Sequence, residues 1–299
     1  MKLFYADRYE IPLPDNHRFP RSKNRLAREA MLRDGLIGHD ELELSPLAER
    51  GDIIRVHTPA YVDAVLEGTL PRDAMRRIGM PWSPHLVLRS RATLGGAVAA
   101  MREAMREGFS GQLAGGTHHA HADFGSGFCV FNDFALAATT ALAEGLASRV
   151  AIVDLDVHQG DGNAAIFADD PSVFVFSLHA EKNFPFRKAA SDLDIGLPDA
   201  TEDRAYLDAL HDGLDAVLGF RPDLVLYQSG VDPLVHDKLG RLSLTYEGLA
   251  ARDRLVFETF SARGIPVSIG VGGGYCDPIE QTVAAILNTV AAARAVYRL

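Results

Sequence analysis

The residues best suited to chemistry sit in one short run, Asp154-Leu155-Asp156-Val157-His158-Gln159-Gly160-Asp161-Gly162, directly after the apolar segment Val150-Ala151-Ile152-Val153. Residues two apart on an extended chain point the same way, so Asp156 and His158 can face one cation while Val157 packs behind them. Asp154 shares that parity and lies nearest the apolar interior, where a carboxylate is costly unless paired, hydrogen-bonded or bound to a cation. A metal site is one reading of these residue types. The run is equally well written as an acidic turn, since Asp and Gly both favour turns.

The elements that must position this run are legible around it. Gln112 to Ala114, Val150 to Val153, Val173 to Ser177, Leu224 to Gln228 and Val267 to Gly270 read as short buried strands separated by longer helix-like segments. That alternation predicts an α/β fold of three layers, α/β/α, with a mostly parallel central sheet. Asp277-Pro278-Ile279-Glu280 predicts an N-cap, a first-turn proline and a capping Glu, opening a helix towards Tyr297. Thr201 to Arg204 opens another helix, and Thr245 caps a third that runs towards Arg263. Asn183 to Pro198, with Phe184-Pro185-Phe186, reads as one long surface loop, the kind of segment that borders active sites.

Ligands of open α/β sheets bind beyond the carboxyl ends of the strands. Unusual residues collect after four of the predicted strands: Gly115-Gly116-Thr117-His118-His119-Ala120, the Asp154 run, Ser229-Gly230-Val231-Asp232 and Gly272-Gly273-Gly274-Tyr275. Each has a bland reading, as a loop, a turn or a close backbone approach, and the glycine run lacks the spacing of a phosphate loop. Their shared placement at one rim argues for a single site. Asp156, His158 and Asp232 would give three ligands and leave a position open for water and substrate, as catalytic zinc requires. Hydrolysis would also need a proton shuttle and an oxyanion donor, which the two histidines and Tyr275 can supply.

Composition bounds the rest. The 299 residues are 47% apolar and 23% charged, ordinary for one soluble globular domain spanning residues 1–299. A net charge of -10 argues against a sequence-independent grip on nucleic acid, and Arg18 to Arg28 reads as a solvated helix start. Neither a secretory leader nor a membrane span is expected, which predicts a cytoplasmic protein. The two cysteines, Cys129 and Cys276, make neither a disulfide framework nor a thiolate zinc site, so any metal must be held by His and carboxylates.

Taken together, these blocks resemble the zinc-dependent histone deacetylases and their bacterial relatives, the acetylpolyamine amidohydrolases and acetoin-utilisation proteins. The resemblance covers nearly the whole chain and includes Gly127-Phe128-Cys129-Val130-Phe131-Asn132-Asp133 and Ser177-Leu178-His179. His17-Arg18-Phe19-Pro20, Pro81-Trp82-Ser83-Pro84 and Gln159 look most like the class IV branch. The resemblance implies that Asp156, His158 and Asp232 bind zinc and that His119 is the general base, with His118 as electrostatic partner and proton donor. It implies that Asp154 and Asp161 orient His118 and His119, and that Tyr275 donates its hydroxyl to the substrate carbonyl. It further implies a structural potassium ion near Asp154, Asp156, His158, Ser177 and Leu178, and a narrow acyl-lysine tunnel lined by Gly127 and Phe128, with Phe184 on its opposite wall. His57, His85, His121, His179, His211 and His236 receive no role, and His17 occupies a family-like position without one.

The activity this implies is removal of acetyl or longer acyl groups from an acyl-lysine protein or peptide. Deacetylation of small acylated amines such as polyamines would share all of the chemistry, and acidic groups at the tunnel mouth would favour it. An arginase-type ureohydrolase would need a second metal site, and one metal per site is the expectation here. A non-catalytic sensor of acyl groups would be marked by loss of Tyr275, His119 or a zinc ligand, none of which is lost. Oligomeric state is open.

Overall fold

The computed structural model describes residues 1–14 and 17–298. The chain runs β1 (Leu3–Tyr5), α1 (Lys23–Arg33), β2 (Leu42–Leu44), α2 (Arg50–Ile53), α3 (Pro59–Glu67), α4 (Arg72–Ile78), α5 (Pro84–Glu107), β3 (Phe109–Gln112), α6 (Asp133–Ala143), β4 (Val150–Asp154), α7 (Asp161–Ile166), β5 (Val173–Ala180), β6 (Leu193–Leu197), α8 (Asp203–Phe220), β7 (Leu224–Gln228), α9 (Tyr246–Ser261), β8 (Val267–Gly270) and α10 (Glu280–Tyr297). The strands form one sheet of eight in the order β2-β1-β3-β8-β7-β4-β5-β6, and every pairing is parallel.

Alternation along the central strands builds both faces. Ala151 and Val153 of β4, with Val225 and Tyr227 of β7, join the core beneath α8, α9 and α10, whereas Val150, Ile152, Leu224 and Leu226 join Ala97, Met101 and Phe134 of α5 and α6 on the other side. All five residues of β4 and of β7 are buried, which is why these strands read as continuous apolar runs. No helix among the described residues is long and apolar enough to cross a membrane.

Several expected boundaries shift. The strand placed at Gln112 to Ala114 is β3, which ends at Gln112, and the strand begun at Val173 continues to Ala180. The loop expected over Asn183 to Pro198 contains β6, an edge strand whose alternating exposure places Asp194 and Gly196 outward and masks the strand in the sequence. Asp277 does not cap α10, which starts at Glu280 behind Ile279; its carboxylate instead pairs with Lys238 at 2.5 Å. Thr201 folds back onto the Pro198 carbonyl and α8 begins at Asp203, while Thr245 caps α9 as expected by accepting from Gly248 N at 3.0 Å. The basic stretch from Arg18 does lead into α1, but Lys23 at its start is buried.

Candidate active site

The four loops singled out by their chemistry follow β3, β8, β7 and β4, which lie side by side in the sheet. Parallel strands all end on the same side, so adjacency in the sheet becomes adjacency of their loops. Beyond Asp154 the chain curls through two side-chain-to-backbone bonds, Asp156 N donating to Asp154 Oδ1 at 3.2 Å and His158 N to Asp156 Oδ1 at 2.9 Å. Val157 N donates to Asp232 Oδ1 at 2.9 Å and ties this loop to the one after β7. Both loops rest on Arg252 of α9, fully buried, whose guanidinium donates to the Gly230 carbonyl at 2.6 Å and the Leu155 carbonyl at 3.2 Å. Asp253 balances its charge at 2.8 Å.

Asp156, His158 and Asp232 meet in consequence, each buried, with one donor atom from each lying within 4.8 Å of the others. His158 Nδ1 stands 2.9 Å from Asp156 Oδ1 and 3.2 Å from Asp232 Oδ2. That Asp232 oxygen is fully buried and, among the described residues, has only the His158 contact to offset its burial, a costly state for a carboxylate that a cation would relieve. Burial and then the Asp156 charge raise Asp232 to about 7. Burial would lower His158, but its two carboxylate neighbours raise it to about 10. Gly273 covers the cluster at φ 22°, and a Cβ there would sit 2.4 Å from the Asp232 carboxyl carbon, so no side chain fits. Among the described residues this is the one such cluster of His, Cys, Asp or Glu.

The histidine pair is anchored from behind. His118 Nδ1 lies 2.7 Å from Asp154 Oδ2, and His119 Nδ1 lies 2.6 Å from Asp161 Oδ1. Burial pushes both rings down, yet Asp154 and Asp156 outweigh it around His118 and hold that ring at about 9. His119, buried and next to the His118 charge, falls to about 4. Neighbouring titratable groups pushed apart in this way are a common arrangement for dividing acid and base duties. Burial would raise Asp161, but the imidazoles of His119 and His121 hold it well below the usual carboxylate range. His121 was given no role from sequence; its Nε2 lies 3.1 Å from Asp161 Oδ2 and so anchors the carboxylate that orients His119. The turn before the pair is fixed by Asp133, which accepts from Gly116 N, Thr117 N, Thr117 Oγ1 and Gln112 Nε2 at 2.7–3.0 Å.

Tyr275 is half-buried at the same cavity, its ring 6.4 Å from His158 and 6.2 Å from Phe128. Burial, then Asp156 and Asp232, lift its hydroxyl well above the usual range, so it stays a donor. Two residues that the sequence did not mark hold it. Asp237 accepts from Tyr275 N at 2.6 Å and from Leu239 N and Gly240 N at 2.8 and 2.9 Å. Lys23 sends its ammonium to the Gly272 and Gly273 carbonyls and lies 5.1 Å over the Tyr275 ring. Burial lowers Lys23 to about 8 despite Asp232 and Asp156 nearby.

The cavity has a volume of about 880 Å³ and is lined by His118, His119, Gly127, Phe128, Asp156, His158, Phe184 and Tyr275 among others. Gly127 and Phe128 both take left-handed φ, 53° and 68°, and Phe128 N donates to the Ile78 carbonyl at 2.8 Å. For a phenylalanine that conformation stores strain, here sustained by the contact with the end of α4. Phe184 stands edge-on to His119 with ring centroids 4.9 Å apart. Ser177 lies beside Asp154 in the β4–β5 register, and Leu178 follows it, fully buried; their side chains do not enter the cavity lining.

The histone deacetylase domain family matches residues 17–291 of this chain. An uncharacterised protein of Picosynechococcus sp. is 47% identical over 99% of both chains. Histone deacetylase 2 of Arabidopsis thaliana is 28% identical over 95% of this chain and 77% of its own length, and the acetoin utilization protein AcuC of Staphylococcus aureus is 29% identical over 82% and 69%. The crystal structure of a histone deacetylase homologue complexed with SAHA superposes with a TM-score of 0.84 at 28% identity, covering 100% of this chain and 88% of the other. A homologue from Aquifex aeolicus gives 0.81 at 26% identity over 99% and 88%. By sequence, by fold and by the extent of both matches, the chain belongs to the histone deacetylase family of deacetylase hydrolases.

Proposed function

We propose that this chain removes an acetyl or longer acyl group from an acyl-lysine side chain by attack of water on the amide carbonyl. The observation that carries the reading is that Asp156 and His158, joined by the fully buried Asp232, share one cavity with His118, His119 and Tyr275. The three ligands fit zinc, and two buried carboxylates converging on one imidazole support a cation there. Zinc so held would acidify water to a pKa of about 7 and polarise the acyl carbonyl.

His119 takes the proton of the attacking water, its Nδ1–H committed to Asp161 so that Nε2 is left basic. His118, held by Asp154, provides positive charge and a proton for the leaving amine. Tyr275 donates its hydroxyl to the acyl oxygen as negative charge builds there. Gly127, Phe128 and Phe184 line the passage for the lysine stem. Asp154, Asp156, His158, Ser177 and Leu178 would hold a potassium ion behind the site, a reading supported by the full burial of Asp154 and Ser177 and by their pairing across adjacent strands. Gln159 keeps the class IV reading open, and it is buried in bonds to the Ala189 carbonyl and Asp194 at 2.8 and 2.7 Å.

The test is release of lysine from acetyl-, octanoyl- and myristoyl-lysine peptides and of amine from acetylated polyamines by zinc-loaded protein, with and without a hydroxamate. Tyr275→Phe is expected to lower kcat by about 10²–10³ with zinc content unchanged, whereas Asp232→Ala is expected to lose the zinc. Full activity of either variant overturns that residue's role, and a zinc-loaded protein that cleaves nothing supports the acyl-sensor reading instead.

A further inference from the structure

The chain carries ten more acidic than basic charges, yet the cavity opening is basic. Arg18 before α1, Arg76 and Arg77 at the end of α4, Lys182 after β5, and Lys238 and Arg241 between β7 and α9 all line it, and all are exposed. They come from separate stretches of sequence, brought together only by the fold. Among the described residues, the sole carboxylate on the lining is Asp156, at the candidate metal cluster. Three of the cations have partners that face water: Arg76 with Asp73 at 2.7 Å, Lys238 with Asp277 at 2.5 Å and Arg241 with Asp199 at 3.0 Å. Among the described residues, Arg18, Arg77 and Lys182 have no carboxylate within 4.0 Å. Arg77 is also held in place, its guanidinium 4.7 Å over the Phe124 ring, while its carbonyl accepts from Gly127 N at 3.3 Å on the tunnel wall.

Cations gathered around an opening raise the local concentration of anionic ligands and repel cationic ones. A polyamine stem carries positive charge into that field, whereas a peptide with carboxylates beside the modified lysine brings the complementary sign. We infer that the substrate of this site is an acyl-lysine flanked by aspartate or glutamate residues in a peptide or protein chain, with Arg18, Arg77 and Lys182 reading those carboxylates. This rests on the acyl-lysine hydrolase reading above and specifies its substrate class.

The experiment compares kcat/KM for one acetyl-lysine peptide flanked by glutamates, by serines or by lysines, with acetylspermidine alongside, using zinc-loaded protein. At low ionic strength the acidic peptide is expected to exceed the basic one by about tenfold or more, and the ratio to shrink towards unity as salt shortens the Debye length. The combined variant Arg18→Glu, Arg77→Glu, Lys182→Glu is expected to reverse the order of the peptides, with its melting temperature showing that it folds. Equal turnover of the three peptides, or faster turnover of acetylspermidine than of the acidic peptide, overturns the inference while leaving the hydrolase reading intact. If no substrate is cleaved, the hydrolase reading fails, and anisotropy of the same labelled peptides decides the rim separately: tighter, salt-sensitive binding of the acidic peptide supports it and equal binding overturns it.

Discussion

At the scale of single residues, Lys23 and Asp237 brace the backbone around Tyr275 from two sides. Asp156, His158 and Asp232 announce themselves by type, by alternation along an extended chain and by position after apolar runs. Lys23 and Asp237 carry no such signal. Lys23 reaches a carbonyl 249 residues away, and its basic neighbours make it read as a solvated helix start. Asp237 looks like one more loop acid, although three backbone N–H groups depend on its two oxygens. The Asp237→Asn exchange keeps the shape but turns an amide donor against one of those N–H groups. It is expected to lower kcat about tenfold by loosening Tyr275, with KM and zinc affinity changed less than about threefold. Steady-state kinetics with a parallel zinc titration check this, and an equal loss in zinc affinity would show general disruption instead.

At the scale of elements, the strongly apolar central strands were legible because burial on both faces removes the need for polar residues. The outer strands were not. β1 and β2 are only three residues each, and β6 sets one Asp and one Gly, both loop formers, between its three apolar residues. Helix starts divided similarly: a cap written by a local hydroxyl, as at Thr245, could be read, whereas α10 begins without a side-chain cap. Asn132, at the start of α6, is both a cap and a brace. Its Oδ1 accepts from Ala135 N at 2.9 Å, and its Nδ2 donates to the Ala120 carbonyl at 3.1 Å and to Asn163 Oδ1 at 2.8 Å. Asn132→Ala is expected to cost roughly 2 kcal/mol in urea unfolding, since a lost cap is worth about 1 and the buried partners lose theirs as well. A change below about 0.5 kcal/mol would show that water replaces the side chain there.

At the scale of the whole molecule, the three-layer parallel architecture follows from the alternation of short apolar runs and helices, while the sign of charge around the cavity could not be read from a total. That sign depends on which surface loops fold to the same rim. Stability against acid is also a property of the assembled chain. His57, buried, is lowered to about 4 by that burial; its Nδ1 lies 2.9 Å from the His121 carbonyl and its Nε2 accepts from Asn132 N at 2.9 Å. The neutral ring is the one the fold binds, so its contribution is complete above the unfolded pKa of about 6.5 and is lost as pH falls towards 4. A depression of this size corresponds to roughly 3 kcal/mol. Denaturation midpoints between pH 7 and pH 4 should therefore fall less in His57→Gln than in the parent, and parallel curves would remove His57 from the account. Arg252 extends the same linkage in another direction. One guanidinium on α9 grips the carbonyls of both loops that carry the candidate metal ligands, so metal occupancy and the docking of that helix share a single equilibrium. Whatever frays the helix weakens the ion's hold, and the ion, when present, acts as a remote clamp on a helix it never touches.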